Sequence, residues 1–298
     1  MTSVARIQNY IENVENGGSS TDLKNFIKNT EIIRPLKKLL RNGETSTIKR
    51  LHDINRIERE TLDELFAYAC SSTYVSIPNC SIFYDAFRRS LFDIYSREDI
   101  VEIITAGTNV NKLKWFLETN NSFEIEDSTP IFANICCTDS VQMFNALENK
   151  LDVRDTASYL HDCCLYDAIN LFKYIVSNYE TVIEPQTYML LCCKHNSKQI
   201  FNNLVELFPS FQIYDPRNGL VERCLKYKST EVLNLFDDTK IHFIDIPIVL
   251  RNICKKGMLE QCKWLCEFIA RHQLQLCFDT TSIENIMIDL AHKNEADQ

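Results

Sequence analysis

A motif that recurs about every thirty residues limits what this chain can fold into more than any other feature. Its clearest copy is residues 249–268, VLRNICKKGMLEQCKWLCEF. Ile253 and Cys254 form a small apolar step near the end of one short helix, and Gly257 sits where that helix must stop. Leu259, Cys262, Leu265 and Cys266 then return at three- and four-residue spacing, the buried stripe of a second helix. With Cys254 as reference, the aligned positions are Thr105, Cys136, Cys164, Cys193, Cys224 and Cys254, at separations of 31, 28, 29, 31 and 30. Elements of ordinary globular domains vary in length, so a period that survives across six units predicts a solenoid of stacked helical hairpins.

The turn positions of these units are Thr108, Asp139, Asp167, Asn196, Tyr227 or Lys228, and Gly257, several of them residue types that tolerate left-handed geometry. Second helices follow as NKLKWFLE, VQMFNALE, INLFKYIV, KQIFNNLVE, EVLNLF and LEQCKWLCE, with Trp115 and Trp264 at one repeat position. Between hairpins lie FEIED, LDVRD, VIEP, FQIYD and IHFID, ending at Asp127, Asp155, Pro185, Asp215 and Asp245. Their alternation of apolar and polar residues predicts short extended segments with one face tucked inward.

The composition agrees. Only 6 glycines and 7 prolines in 298 residues argue against a turn-dense β-sandwich and for an all-α chain. Neither a secretory h-region nor an eighteen-residue apolar run occurs, so an intracellular, cytoplasmic protein without a membrane span is expected. Net charge is −9, unevenly spread: residues 1–60 carry 11 Lys+Arg against 8 Asp+Glu, leaving 21 against 33 for the rest. An acidic body repels phosphate backbones, so protein partners are expected and nucleic acid is not.

Residues 1–97 read as an N-terminal helical region or cap. Pro35 starts a helix that Asn42 and Gly43 close, Ser46 or Thr47 caps the next, and a further helix runs over residues 82–95. Residues 98–298 form the repeat body, with residues 279–292 as its capping unit.

Thirteen cysteines are the conspicuous chemical feature. The doublets Cys136-Cys137, Cys163-Cys164 and Cys192-Cys193 fall at repeat positions that match to within one residue, where a small packing residue is needed. Adjacent cysteines on a helix diverge by roughly 100° and no C-x-x-C pair occurs, so no metal site is expected. Cys262, Cys266, His272 and Cys277 form the best alternative zinc cluster. His161 and Cys164 share a helix face, which leaves a nucleophilic site open, but no phosphate loop, nucleophile elbow or dinucleotide fingerprint accompanies them. No cofactor is expected.

These units resemble ankyrin repeats. Leu151-Asp152-Val153-Arg154-Asp155 looks like the family's inter-repeat loop, Thr129-Pro130-Ile131-Phe132 its helix start, and Ile253-Cys254 with Gly257 its alanine pair and turn glycine. The units are shorter than the family's thirty-three or so residues, and most turn glycines are absent. Such diverged copies are similar to ankyrin-like proteins of large DNA viruses and some protists. That resemblance implies host-factor binding in a host cytoplasm or nucleus.

The expected function is therefore non-enzymatic protein recognition by the stack's concave face and inter-repeat loops. Candidate contacts are Glu126, Arg154, Asp155, Tyr214, Arg217, His242 and Asp245. Each could equally stabilise a turn. Two alternatives stay open: an adaptor whose basic N-terminal helices recruit machinery such as a ubiquitin-ligase subunit, and a divergent enzyme in a helical fold.

Overall fold

A computed structural model of the chain describes residues 7, 11–12, 33–53, 57, 59–92, 95–120, 122–151, 156–236, 263, 264, 267 and 270. Among these the regular structure is helical throughout, without a strand. The chain forms two compact units, Met1–Val153 and Arg154–Gln298.

The first unit pairs α1 (Ile33–Arg41) with α2 (Thr45–Asp53), α3 (Arg59–Ser71) with α4 (Ile77–Phe92), α5 (Arg97–Ala106) with α6 (Val110–Thr119), and α7 (Thr129–Cys137) with α8 (Val141–Leu147). First helices pack on first helices along α1, α3, α5 and α7, and second helices on second along α2, α4, α6 and α8. The second unit repeats this plan. Its hairpins are α9 (Thr156–Tyr166) with α10 (Ile169–Asn178), α11 (Pro185–His195) with α12 (Lys198–Leu207), and α13 (Leu220–Tyr227) with α14 (Thr230–Leu233). There α9, α11 and α13 pack in sequence, as do α10, α12 and α14.

Apolar spacing explains this order. Each first helix of the second unit buries two adjacent pairs one turn apart: Tyr159-Leu160 with Cys163-Cys164, Tyr188-Met189 with Cys192-Cys193, and Leu220-Val221 with Cys224-Leu225. Second helices bury Leu171, Phe172 and Ile175, or Ile200, Phe201 and Leu204. A stripe this wide cannot be covered by one hairpin partner, so it recruits the next hairpin as well.

Five non-glycine residues adopt positive φ among the described residues: Thr108 (60°), Asp139 (47°), Asp167 (54°), Asn196 (63°) and Lys228 (59°). They are the predicted turn positions, and the choice between Tyr227 and Lys228 falls on Lys228. The left-handed bend reverses the chain between two helices within a few residues.

The cysteines behave as small hydrophobes. Of the nine described, eight are buried and Cys137 alone is exposed, one helical step from buried Cys136. Cys192 Sγ lies 3.9 Å from Cys164 Sγ across adjacent first helices. Burial pushes the Cys192 thiol up, and the hydrogen bond to Cys193, with burial, pushes Cys224 up, so both stay protonated.

Some local expectations shift. The helix expected over residues 82–95 begins at Ile77, with Pro78 in its first turn, and α2 begins at Thr45 rather than after Ser46 or Thr47. Of the extended segments, Phe123 and Leu151 tuck inward, whereas Val182 is 95% exposed. Residues 279–292 and the motif copy at 249–268, apart from Lys263, Trp264 and Glu267, lie outside the described residues.

Candidate partner-binding face

The register fixed by the left-handed residues sorts each first helix into buried and outward positions. In the second unit, the position before the turn holds Tyr166, His195 and Tyr227, and the position before that Leu165, Lys194 and Lys226. One turn earlier stand His161, Leu190 and Glu222, then Asp162, Leu191 and Arg223. None of these twelve is buried. Because α9, α11 and α13 pack side by side, their outward positions form one face. The rings of His161 and His195, 6.3 Å apart, meet across the first two helices.

Between α11 and α13 this face opens into a groove of about 300 Å³ lined by Leu190, Asn218, Gly219, Glu222, Arg223 and Lys226. Gly219 N-caps α13 with φ 64°. Beside the groove, the Lys226 ammonium and the Arg223 guanidinium lie 5.0 and 5.7 Å from the centre of the Tyr227 ring. The hydrogen bond from Lys226, and next to it the positive charge of Lys226 and Arg223, hold the Tyr227 phenol below its ordinary range. Burial, Lys194 and His161 push His195 below its ordinary value, which keeps it neutral near pH 7. Its Nε2 is buried with no hydrogen-bond partner among the described residues.

In the first unit the two positions before the turn hold Ala106 and Gly107, and Cys137 and Thr138. Gly107 has a packing reason. A Cβ there would stand 2.3 Å from Ser71 Cα, so α3 and α5 approach too closely for any side chain. The aromatic file belongs to the second unit.

Two of the loop residues singled out from sequence, Arg217 and Tyr214, have local tasks. Arg217 Nε bonds both oxygens of Asp215 at 3.0 Å, and Asp215 Oδ1 also accepts from the Arg217 amide at 2.9 Å. That bonding holds Asp215 below the usual carboxylate range. Asp127, at the equivalent loop end, accepts from Thr129 N at 2.9 Å. Both are Asx turns: that of Asp127 leads into α7, and that of Asp215 opens the 3-10 turn Pro216–Asn218 ahead of α13. Tyr214 stacks edge-on against Phe236 at 5.8 Å. Glu126 is exposed in the loop before α7. Arg154, Asp155, His242 and Asp245 lie outside the described residues, as do Cys262, Cys266, His272 and Cys277.

His161 and Cys164 are separated by burial. Cys164 is fully buried and meets Cys192, His161 is exposed beside Asp162, and neither lines the groove.

Sequence reasoning missed the file of Tyr166, His195 and Tyr227, although their shared place before each turn was a readable signal. Lys112 was also missed. It occupies the register of Met143, Leu171, Ile200 and Val232, yet it is fully buried and its Nζ donates to Ala69 O and, at 2.6 Å, to Ser72 O. There it caps the C-terminus of α3, where backbone carbonyls lack intrahelical donors. Burial pushes its ammonium below the ordinary lysine range.

No protein-family model and no curated protein matches this chain.

Proposed function

We propose that the chain is a non-enzymatic protein-binding module whose units are runs of ankyrin-like repeats, and that it holds a cellular or host protein on the outward face of α9, α11 and α13. The observation that carries this reading is the file Tyr166, His195 and Tyr227, set beside the half-buried Leu190 and Leu191. A fold needs no aromatic at the outward position before a turn, as Gly107 and Thr138 illustrate. Aromatics repeated there offer a partner rigid apolar area at low entropic cost.

The test is parallel affinity purification of the wild-type chain and a Tyr166→Ser/Tyr227→Ser variant from the same cells, with quantitative mass spectrometry. Proteins retained by the wild type and lost from the variant support the reading. An identical set from both, or enrichment of nothing beyond the bait, counts against it.

A second reading has one specific observation in its favour. Tyr74 is 75% exposed, and the Arg41 guanidinium lies 5.3 Å from its ring and 5.4 Å from that of Tyr68. This cluster suits an adaptor that docks separate machinery through residues 1–97. An Arg41→Ala/Tyr74→Ala variant that loses one partner set while keeping another would support it.

A further inference from the structure

We infer that the groove between α11 and α13 takes an acidic segment of the partner, with one apolar side chain seated on Leu190 and carboxylates on the surrounding cations. This rests on the protein-binding reading of the same face and adds the chemistry of what binds.

Charge complementarity favours an acidic occupant. Arg223 and Lys226 line the groove from α13, Lys194 stands in the last turn of α11, and Lys228 makes the turn after α13. Among the described residues none of the four makes an ion pair. Arg217, nearby in sequence, contrasts with them: Asp215 already neutralises it. Against these cations the groove wall sets, among the described residues, one carboxylate, Glu222. A basic cluster in a chain of net charge −9 is a local departure.

Basic residues in a last helical turn are partly explained by the helix dipole. That explanation covers Lys194 and Lys226. It does not cover Arg223, in the middle of α13, or the approach of both Arg223 and Lys226 to one exposed tyrosine. Cations held over a ring have lost part of their rotamer freedom before a ligand arrives, which lowers the ordering cost of binding.

A nucleic acid would also seek cations. The acidic chain opposes a long phosphate backbone, and Glu222 on the groove wall opposes a phosphate placed in the groove. A peptide carboxylate can keep clear of Glu222, and an apolar side chain can use the space above Leu190.

Three fluorescein-labelled synthetic peptides test this by anisotropy with the full chain. The first has the sequence EEEEFLEEEE, a phenylalanine-leucine centre between two runs of glutamate. The other two replace every glutamate by glutamine or by lysine, and a labelled oligothymidylate of matching length is measured alongside. The acidic peptide is expected to bind at least about tenfold more tightly than the other three probes, and to weaken as salt rises. Arg223→Glu/Lys226→Glu should weaken it at least about tenfold, the milder Lys226→Ala should weaken it less, and Lys173→Glu on α10 should leave it unchanged. Thermal melts by circular dichroism check that each variant folds.

Equal binding of the glutamine peptide, indifference to charge reversal, tighter binding of the oligothymidylate, or no binding by any probe would overturn the inference. The protein-binding reading fails separately. If Tyr166→Ser/Tyr227→Ser still strips cellular partners while no acidic peptide binds, the face stands and its acidic specificity falls.

Discussion

The side-chain oxygen of Asn196 accepts the backbone amide of Glu231 at 2.9 Å, tying the turn of one hairpin to the second helix of the next. Val232 N reaches the same oxygen at 3.2 Å. Asp167 does the same one hairpin earlier, accepting from Gln199 N and Ile200 N, each at 3.1 Å. One residue thus makes the left-handed turn and caps a helix that follows more than thirty residues later. A parallel strap runs from the buried hydroxyls of Ser197 and Ser229 to the carbonyls of Cys164 and Cys193. Stacking in the second unit is therefore fixed by directional bonds as well as by apolar burial.

Gly107→Ala tests the close approach of α3 and α5. The added methyl would overlap Ser71 backbone atoms, and backbone has less room to give than a side-chain tip. A loss of about 1–3 kcal/mol is expected in urea denaturation. A neutral result would mean that the helices can move apart freely.

Lys112→Met puts in the register the residue type that Met143 already supplies. It removes a buried ammonium, which is a gain, but leaves the Ala69 and Ser72 carbonyls without their donor. Unsatisfied buried acceptors cost about 1–3 kcal/mol each, so a net destabilisation is expected. Increased stability would show instead that burying the charge dominates.

Much of this was legible in the sequence, for a physical reason. A periodic stack makes each hairpin meet the same neighbours, so turn, stripe and small-residue positions recur and can be aligned without coordinates. The left-handed residues from Thr108 to Lys228 and the buried cysteines were found that way. Lys112 went unnoticed because lysine is ordinarily an exposed residue, whereas its register says buried. Arg217 and Tyr214 were weighed as partner contacts, and their engagement with Asp215 and Phe236 depends on local loop geometry that spacing does not encode. Val182 faces outward beside half-buried Ile183, because two adjacent apolar residues of an extended segment point to opposite sides.

His195 makes stability depend on pH. Its folded pKa is lowered, so below about pH 6.5 the unfolded chain binds a proton that the folded chain resists. Its contribution is fully present above that pH and declines on acidification, down to the lowered folded value. The group faces Lys194 and His161, both of which oppose its protonation. His195→Asn should flatten the stability profile between about pH 7 and pH 5, measured by urea midpoints. An unchanged slope would show that His195 is not the group responsible.

The central structural claim is that one position per hairpin makes the turn and, where its side chain allows, straps the next hairpin. Lys228 and Asn196 both have φ near 60°, and only Asn196 uses its side chain as a cap. Urea denaturation of Lys228→Gly and Asn196→Gly tests this most directly. Glycine relieves the left-handed strain at both sites, so Lys228→Gly should stabilise by roughly 1 kcal/mol. At Asn196 the lost cap, about 1–2 kcal/mol, should cancel or outweigh that relief and leave the variant no more stable than wild type. Equal stabilisation of both variants would contradict the strap.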